Sequence, residues 1–218
     1  MAYIETKNIS KSFRIGLFKK RQVLKGVNFH AGQGEFICLI GRSGSGKTTF
    51  LKILAGIIKP NDGEIRFQDK KLGLFKGFYR RQLGFVFQDY KLIPHLNVFE
   101  NVSLPLRIRN IPGWKKKALE SLEFTGIAHL AKQYPYQLSG GESQRASISR
   151  TISINPNIIF ADEPTGNLDT ETEKEILAVF QKINRELNKT FIIITHEQDI
   201  LDMASRTYQM KEGILSEI

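Results

Sequence analysis

Apolar and polar residues alternate over 2–9 and again over 23–29, which predicts two half-buried strands. Elsewhere the apolar positions run together. Short apolar runs at 35–40, 83–87, 157–162 and 190–195 predict four more strands, separated by helical stretches, the alternation expected of a mostly parallel sheet. A helix is expected over 47–55, closed by Gly56, and a turn at Asn61, Asp62 and Gly63 leads into a strand over 64–68. From about residue 97 to 155 the strand pattern stops. Helical stretches broken by Pro105, Pro112, Gly126 and Pro135 take over, so a helical lobe is expected between two strands of the sheet. Ser139 is the expected N-cap of a helix running to Asn155 and Pro156. Thr170 and Glu173 have the spacing of a capping box before a helix whose Ile176, Phe180, Ile183 and Leu187 share one face. Glu212 and Gly213, between two short runs, predict a hairpin over 208–218.

Composition narrows the class. At 218 residues the chain can build one well-cored domain with a lobe, and 41% hydrophobic and 25% charged residues are ordinary for a soluble protein. No apolar run approaches the roughly 20 residues a membrane helix requires, and the start of the chain lacks the apolar core of a secretion signal. The single cysteine, Cys38, excludes an internal disulfide, suits a reducing cytosol, and reads as a small buried hydrophobe within a strand. The net charge of +10 gathers in three blocks: Lys11, Arg14, Lys19, Lys20, Arg21 and Lys25; Lys70, Lys71, Lys76, Arg80 and Arg81; Arg107, Arg109, Lys115, Lys116 and Lys117. Such blocks suit nucleic acid or the anionic inner leaflet of a membrane. They read equally well as solvated surface plus a pocket for a polyanionic nucleotide.

The candidate chemistry lies at strand ends. Gly41, Arg42, Ser43, Gly44, Ser45, Gly46, Lys47 and Thr48, with Thr49 behind them, follow a strand and open a helix, the setting that makes a glycine-rich pattern a phosphate-binding P-loop. The glycines let backbone N–H groups crowd the phosphates, and the helix start adds a positive dipole end. Lys47 is placed to bridge β- and γ-phosphates, and the Thr48 hydroxyl to ligate Mg²⁺. Asp162 closes a buried strand, where a carboxylate is expected only if it meets a charge, and Mg²⁺ supplies one. Glu163 follows directly, points elsewhere, and is the candidate base for a water in line with the γ-phosphate. His196 closes the apolar run at 191–195, at the strand edge where open α/β sheets bind ligands; His30, His95 and His129 read as structural.

The order of motifs resembles the ATP-binding cassette (ABC) ATPases over essentially the whole chain: residues 41–48, Gln88, residues 138–145 (Leu-Ser-Gly-Gly-Glu-Ser-Gln-Arg), residues 158–163, Asn167, Leu168 and Asp169, then His196. The resemblance implies an α/β fold with a RecA-like P-loop NTPase core, a mostly parallel sheet, an N-terminal antiparallel β subdomain and the inserted α-helical lobe. The ATP-binding core would take about 1–88 and 156–218, and the lobe about 89–155. It also implies that Phe13, ahead of the strand, stacks on adenine, and that Gln88 joins Thr48 and Asp162 at the metal and couples it to a membrane partner. Ser139, Gly140, Gly141 and Glu142 would cap the γ-phosphate held by a second copy, and Asn167, Leu168 and Asp169 would let the two sites sense each other. Finer matches, at 84–88, 100–105 and 162–169, resemble the group containing LolD, MacB, FtsE and antimicrobial-peptide exporters. Ser143 and the run Ser149, Arg150 and Thr151 depart from the usual pattern there.

The expectation is therefore an ATPase at the cytoplasmic face of a membrane, docked on a permease through a groove near 88–100, where Leu92, Ile93, Leu96, Val98 and Phe99 are either docking surface or lobe core. Two copies would close head-to-tail on two Mg-ATP, and the basic residues 19–21 would face lipid headgroups. No nucleic-acid partner is expected. The competing class, a soluble ABC ATPase acting on nucleic acid or ribosomes, usually carries a coiled-coil insertion or a second cassette, for which 218 residues leave no room. A non-hydrolysing sensor is disfavoured by Lys47, Gln88, Glu163 and His196 together.

Overall fold

A computed structural model describes residues 3–16, 19–72 and 76–218. Ala2, at the head of the expected first strand, Leu17 and Phe18, inside the basic segment 14–21, and the side chain of Lys76 lie outside the described residues. In chain order come β1 (Ile4–Ile15), β2 (Lys19–Ala31), β3 (Phe36–Ile40), α1 (Lys47–Leu54), β4 (Asp62–Phe67) and β5 (Lys70–Lys71). Next are α2 (Lys76–Arg81), β6 (Leu83–Val86), α3 (Val98–Ile108), α4 (Trp114–Phe124) and α5 (Gly140–Ser153). The chain finishes with β7 (Ile158–Asp162), α6 (Thr170–Leu187), β8 (Thr190–Ile194), α7 (Gln198–Leu201), β9 (Arg206–Lys211) and β10 (Ile214–Glu217).

Two sheets result. An antiparallel sheet has the order β2-β1-β4-β5, and a six-stranded sheet the order β10-β9-β3-β8-β7-β6. In the second, β9 through β6 are parallel and only β10, the hairpin partner of β9, runs against them. The parallel strands read as unbroken apolar runs because both faces are covered: every residue of β8 is buried. On one face Ile37, Leu39, Phe160, Ile192 and Ile194 pack with Phe50 and Leu51 of α1 and with Ile4, Leu24 and Val27 of the antiparallel sheet. On the other, Cys38, Ile159, Ala161, Phe191 and Ile193 pack with Ile176, Phe180 and Ile183 of α6. Burying each such Val, Leu, Ile or Phe side chain contributes about 1.5–3 kcal/mol. A third cluster, with Val98, Val102, Leu106, Ala118 and Leu122, is the core of the helical lobe.

Five expectations are corrected. Strands β1 and β2 run well past 2–9 and 23–29, pairing as far as Ile15 with Lys19; their outer parts are solvated, so polarity stops alternating while the ladder continues through register shifts. Pro105 lies inside α3 and does not break it, that helix being packed against both α4 and α5. The N-cap of α6 is Asp169, whose carboxylate accepts from the Thr172 N–H at 2.9 Å and the Thr172 hydroxyl at 2.8 Å, so Thr170 and Glu173 form no capping box. Leu187 is 39% exposed, at the frayed end of the face it was expected to share; Leu177 and Val179 are buried instead. The turn expected at 61–63 is partly strand: β4 begins at Asp62, and Gly63 crosses the Asn8 carbonyl at φ 92°.

Candidate functional site

Strands β3, β7 and β8 are parallel neighbours, so the loops leaving their C-terminal ends share one edge of the sheet. The first of these is the glycine loop. Gly41 has φ 142°, and a Cβ there would collide with the Met210 carbonyl of β9; Gly46, the N-cap of α1, has φ 115° and would place a Cβ 3.0 Å from the Val23 carbonyl of β2. The loop is thus pressed between two strands where only glycine passes. The β9–β10 turn braces it from below: Gly213 N–H donates to Ser45 O at 3.1 Å, and Lys25 N–H to Gly213 O at 2.9 Å. Lys47 folds back over the loop and donates to Gly41 O at 2.5 Å and Arg42 O at 3.2 Å. Burial lowers its pKa, opposed by the nearby carboxylates of Glu163 and Asp162.

Beside the loop lies a concavity of about 430 Å³, whose lining includes Phe13, Ser43, Gly44, Gly46, Lys47, Thr48, Thr49 and Glu163. Phe13 is within β1, not ahead of it, and is 39% exposed, with the Lys11 ammonium 5.3 Å from its ring centre. Arg21 is its cross-strand partner and also lines the concavity. Arg21, expected from the sequence to face lipid headgroups, stands at this rim through its register with Phe13. A larger cavity of about 680 Å³ on the other side of the loop shares Arg21, Val23, Ser43 and Gly44 but has neither Lys47, Thr48 nor Phe13, so the smaller one concentrates the chemistry.

On the acidic side, Thr48 Oγ1 donates to Asp162 Oδ1 at 3.2 Å. Burial raises the Asp162 pKa, and the Thr48 bond pulls the other way. Glu163 is left-handed, φ 46°, which swings its side chain off the line of β7, while its N–H stays bonded to Ile194 O at 3.0 Å. His196 comes two residues after β8 ends, and its Nε2 lies 3.7 Å from Glu163 Oε1. Glu163, Gly166, Thr195 and His196 share a recess of about 40 Å³, enough for one water molecule. Among the described residues no three His, Cys, Asp or Glu side chains cluster as a metal site. Gln88 is exposed two residues past β6, its amide beside Gly166, and Asn167 Nδ2 donates to its carbonyl at 3.4 Å.

The segment 138–145 is elsewhere. Ser139 caps α5, its Oγ accepting from Glu142 N–H at 3.3 Å while Glu142 Oε2 accepts from Ser139 N–H at 2.8 Å. None of its residues lines the concavity around Lys47. Gly140 and Gly141 instead abut Leu168 and Thr172, so this turn packs on the loop and helix start formed by Asn167, Leu168 and Asp169. Three residues to which the sequence assigned no role at the site stand between these parts. The fully buried Gln144 donates to Pro164 O at 2.5 Å, next to Glu163. Arg150 donates to the carbonyls of Tyr90 and Lys91, just past Gln88, and the Tyr90 hydroxyl lies against Gly140. The one available signal was polar residues on the inward face of α5, where Ser143, Ser149 and Thr151 are also buried. In the 88–100 segment, Val98 is lobe core, Leu92 and Phe99 pack on it, and Ile93 stays 39% exposed.

A family model described as ABC transporter matches residues 24–166. The chain is 40% identical to the ABC transporter ATP-binding protein YtrE of Bacillus subtilis (strain 168), covering 97% of this chain and 96% of that one. It is 38% identical to the lipoprotein-releasing system ATP-binding protein LolD of Cytophaga hutchinsonii, over 88% of this chain and 91% of LolD. Among solved structures, the dimeric post-hydrolysis state of the ATP-binding cassette MJ0796 bound to ADP and Pi superposes with a TM-score of 0.88 at 37% identity, covering 99% and 97% of the two chains.

Proposed function

Since the chain belongs to the ABC transporter ATP-binding family, in the group that holds LolD, MacB and FtsE, we propose that its residues form one half of a paired ATP site. The protein is an ATPase, the ATP-binding and hydrolysing subunit of an ABC transporter acting through dimerisation. The observation that carries the residue assignment is the separation within one chain. Phe13, Lys47, Thr48 and Glu163 share one concavity, while the Ser139 turn, with its anion-suited helix start, faces none of it.

In this reading the amides of residues 41–49 and Lys47 hold the triphosphate, and Phe13 stacks on the adenine. Thr48 and Asp162, hard oxygen donors already in contact, would hold Mg²⁺ with Gln88 and phosphate oxygens completing the shell. Bound there, Mg²⁺ would neutralise charge on the β- and γ-phosphates. Glu163 takes a proton from the attacking water as a bond forms to the γ-phosphorus and the bond to the bridging oxygen of ADP breaks. His196 orients that water beside Glu163. A second copy, arranged head-to-tail, brings Ser139, Gly140, Gly141 and Glu142 onto the γ-phosphate, with Asn167, Leu168 and Asp169 between the two sites.

The chain would work as one ABC ATPase domain, with residues 89–155 as its lobe; every member of the lobe cluster falls between 92 and 154. A transmembrane permease would dock beside Gln88, where Ile93 is exposed, and keep the subunit at the cytoplasmic face. Among the described residues no helix is long and apolar enough to cross a membrane. Glu163→Gln should trap an ATP-bound dimer in gel filtration, and Lys47→Ala should abolish ATP binding. Hydrolysis by Glu163→Gln at the parent rate removes Glu163 as the base. Full turnover by a strictly monomeric chain, with Ser139→Ala costing nothing, removes the half-site.

A further inference from the structure

The four residues from Gln88 to Lys91 contain a backbone oddity. Tyr90 and Lys91 are consecutive and both left-handed, with φ of 58° and 50°, a region that disfavours any residue carrying a Cβ. No glycine occurs anywhere from 85 to 112 to make this turn easy. Within the segment the Lys91 N–H donates to Asp89 O and its ammonium pairs with the Asp89 carboxylate; from outside it, Arg150 of α5 takes hold of both left-handed residues. Its Nη1 donates to Lys91 O at 2.5 Å and its Nη2 to Tyr90 O at 2.8 Å. The planar fork of arginine suits two successive carbonyls, which the point charge of lysine does not.

The same turn touches the other working parts. The Tyr90 hydroxyl lies where a Cβ on Gly140 would meet it at 3.2 Å, so the ring braces the Ser139 turn. At the near end, the Gln88 carbonyl accepts from Asn167 Nδ2 at 3.4 Å. Arg150 itself lines neither the concavity around Lys47 nor the recess at Glu163.

We propose that Arg150 is a positioning residue for ATP hydrolysis: by gripping the carbonyls of Tyr90 and Lys91 it fixes the left-handed turn that aims Gln88 and braces Gly140. The inference rests on the reading above, in which Gln88 and the Ser139 turn serve ATP. Arg150 acts on turnover and not on nucleotide capture, because it reaches the site only through the turn it holds. If the cost of the left-handed backbone is what Arg150 offsets, a glycine at position 91 replaces part of its function, since glycine adopts that φ freely.

The test is steady-state Mg-ATP hydrolysis by the full chain carrying R150A, R150K, K91G or the pairs R150A/K91G and R150K/K91G, with thermal midpoints in parallel. R150A should lower kcat roughly tenfold or more, the scale of a lost charge-assisted hydrogen bond, with KM for ATP within about twofold. R150K should fall between R150A and the parent, and K91G should recover about threefold of the loss in either background. A structural role alone would lower kcat, ATP binding and thermal midpoint together, whatever residue stands at 91. A kcat for R150K within about twofold of the parent, or a deficit that K91G leaves untouched, overturns the proposal; the R150K pair decides it even if R150A does not fold. Failure of Glu163→Gln to trap a dimer would sink the parent reading separately, because the recovery at position 91 is read in kcat without that variant.

Discussion

Gly141→Ala tests how tightly the Ser139 turn is seated. Gly141 is buried in the first turn of α5, and a Cβ built on it would come well inside 3.0 Å of the Thr172 methyl of α6. Carbon atoms attract best at about 3.5–4.0 Å, so the overlap exceeds half an ångström. Thr172 cannot simply rotate away. Its hydroxyl is bonded to Asp169 Oδ2 at 2.8 Å, and a new rotamer would give up that bond at the N-cap of α6. The alternative is for the starts of α5 and α6 to move apart, exposing Leu168 behind them. Overpacking of this kind costs about 1–3 kcal/mol, offset by at most about 1 kcal/mol from the better helix propensity of alanine. For a chain of this length, each kcal/mol lowers the thermal midpoint by about 2–4 °C.

The informative comparison is a double-mutant cycle with Thr172→Ser, which deletes the offending methyl and keeps the hydroxyl for Asp169. Urea unfolding without nucleotide should show Gly141→Ala destabilised by about 1–2 kcal/mol, with most of that recovered in the double variant. A Gly141→Ala chain within about 0.5 kcal/mol of the parent, or costs that simply add, would refute the claim that these two helix starts are packed to contact.

Three further outcomes follow from single residues. Burial raises the pKa of Asp162, so its contribution to stability is fully present below the unfolded carboxyl value and is lost as pH rises through the folded one; Asp162→Asn should therefore raise the thermal midpoint of the nucleotide-free protein at pH 7, with the gain vanishing near about pH 4. The Cys38 thiol is fully buried and its pKa is pushed up to about 12, so iodoacetamide at pH 8 should label the urea-unfolded chain and leave the native one untouched. Phe13→Ala should weaken ATP binding about tenfold in equilibrium titration, the scale of one lost base stack, and Phe13→Tyr should not.

What could be read from the sequence was whatever is written locally. The parallel strands announce themselves because burial on both faces leaves no polar position in runs such as Phe191 to Ile194. The glycine loop is legible because Gly41 and Gly46 are demanded by neighbouring backbone, and backbone demands leave glycine behind. Ser139 was recognisable as a cap, whereas Asp169 and Thr170 are both capping types side by side. Only the backbone, extended at Asp169, decides between them. The contacts of Arg21, Gln144 and Arg150 were not legible for a different reason. Each acts across a pairing or packing separated in sequence: Arg21 through its register with Phe13, Gln144 through Pro164, Arg150 through Tyr90 and Lys91.

Those distant bonds also tie α5 to the loops around the candidate site. The helix straddles two cores, giving Ala146 to the lobe cluster and Ile148 to the cluster under α6. Apolar packing of that kind is non-directional and says nothing about where the loop ends point. Direction comes from polar side chains of α5 that end on backbone carbonyls outside the helix: Gln144 on Pro164, Arg150 on Tyr90 and Lys91, and Thr151 on Phe85. Each such bond is worth only about 0.5–1.5 kcal/mol net, somewhat more where arginine carries the charge, and each depends steeply on geometry. A seam built this way ties the Pro164 carbonyl, next to Glu163, and the Tyr90 and Lys91 carbonyls, just past Gln88, to the helix that Ser139 caps, which apolar packing alone would leave without a set direction.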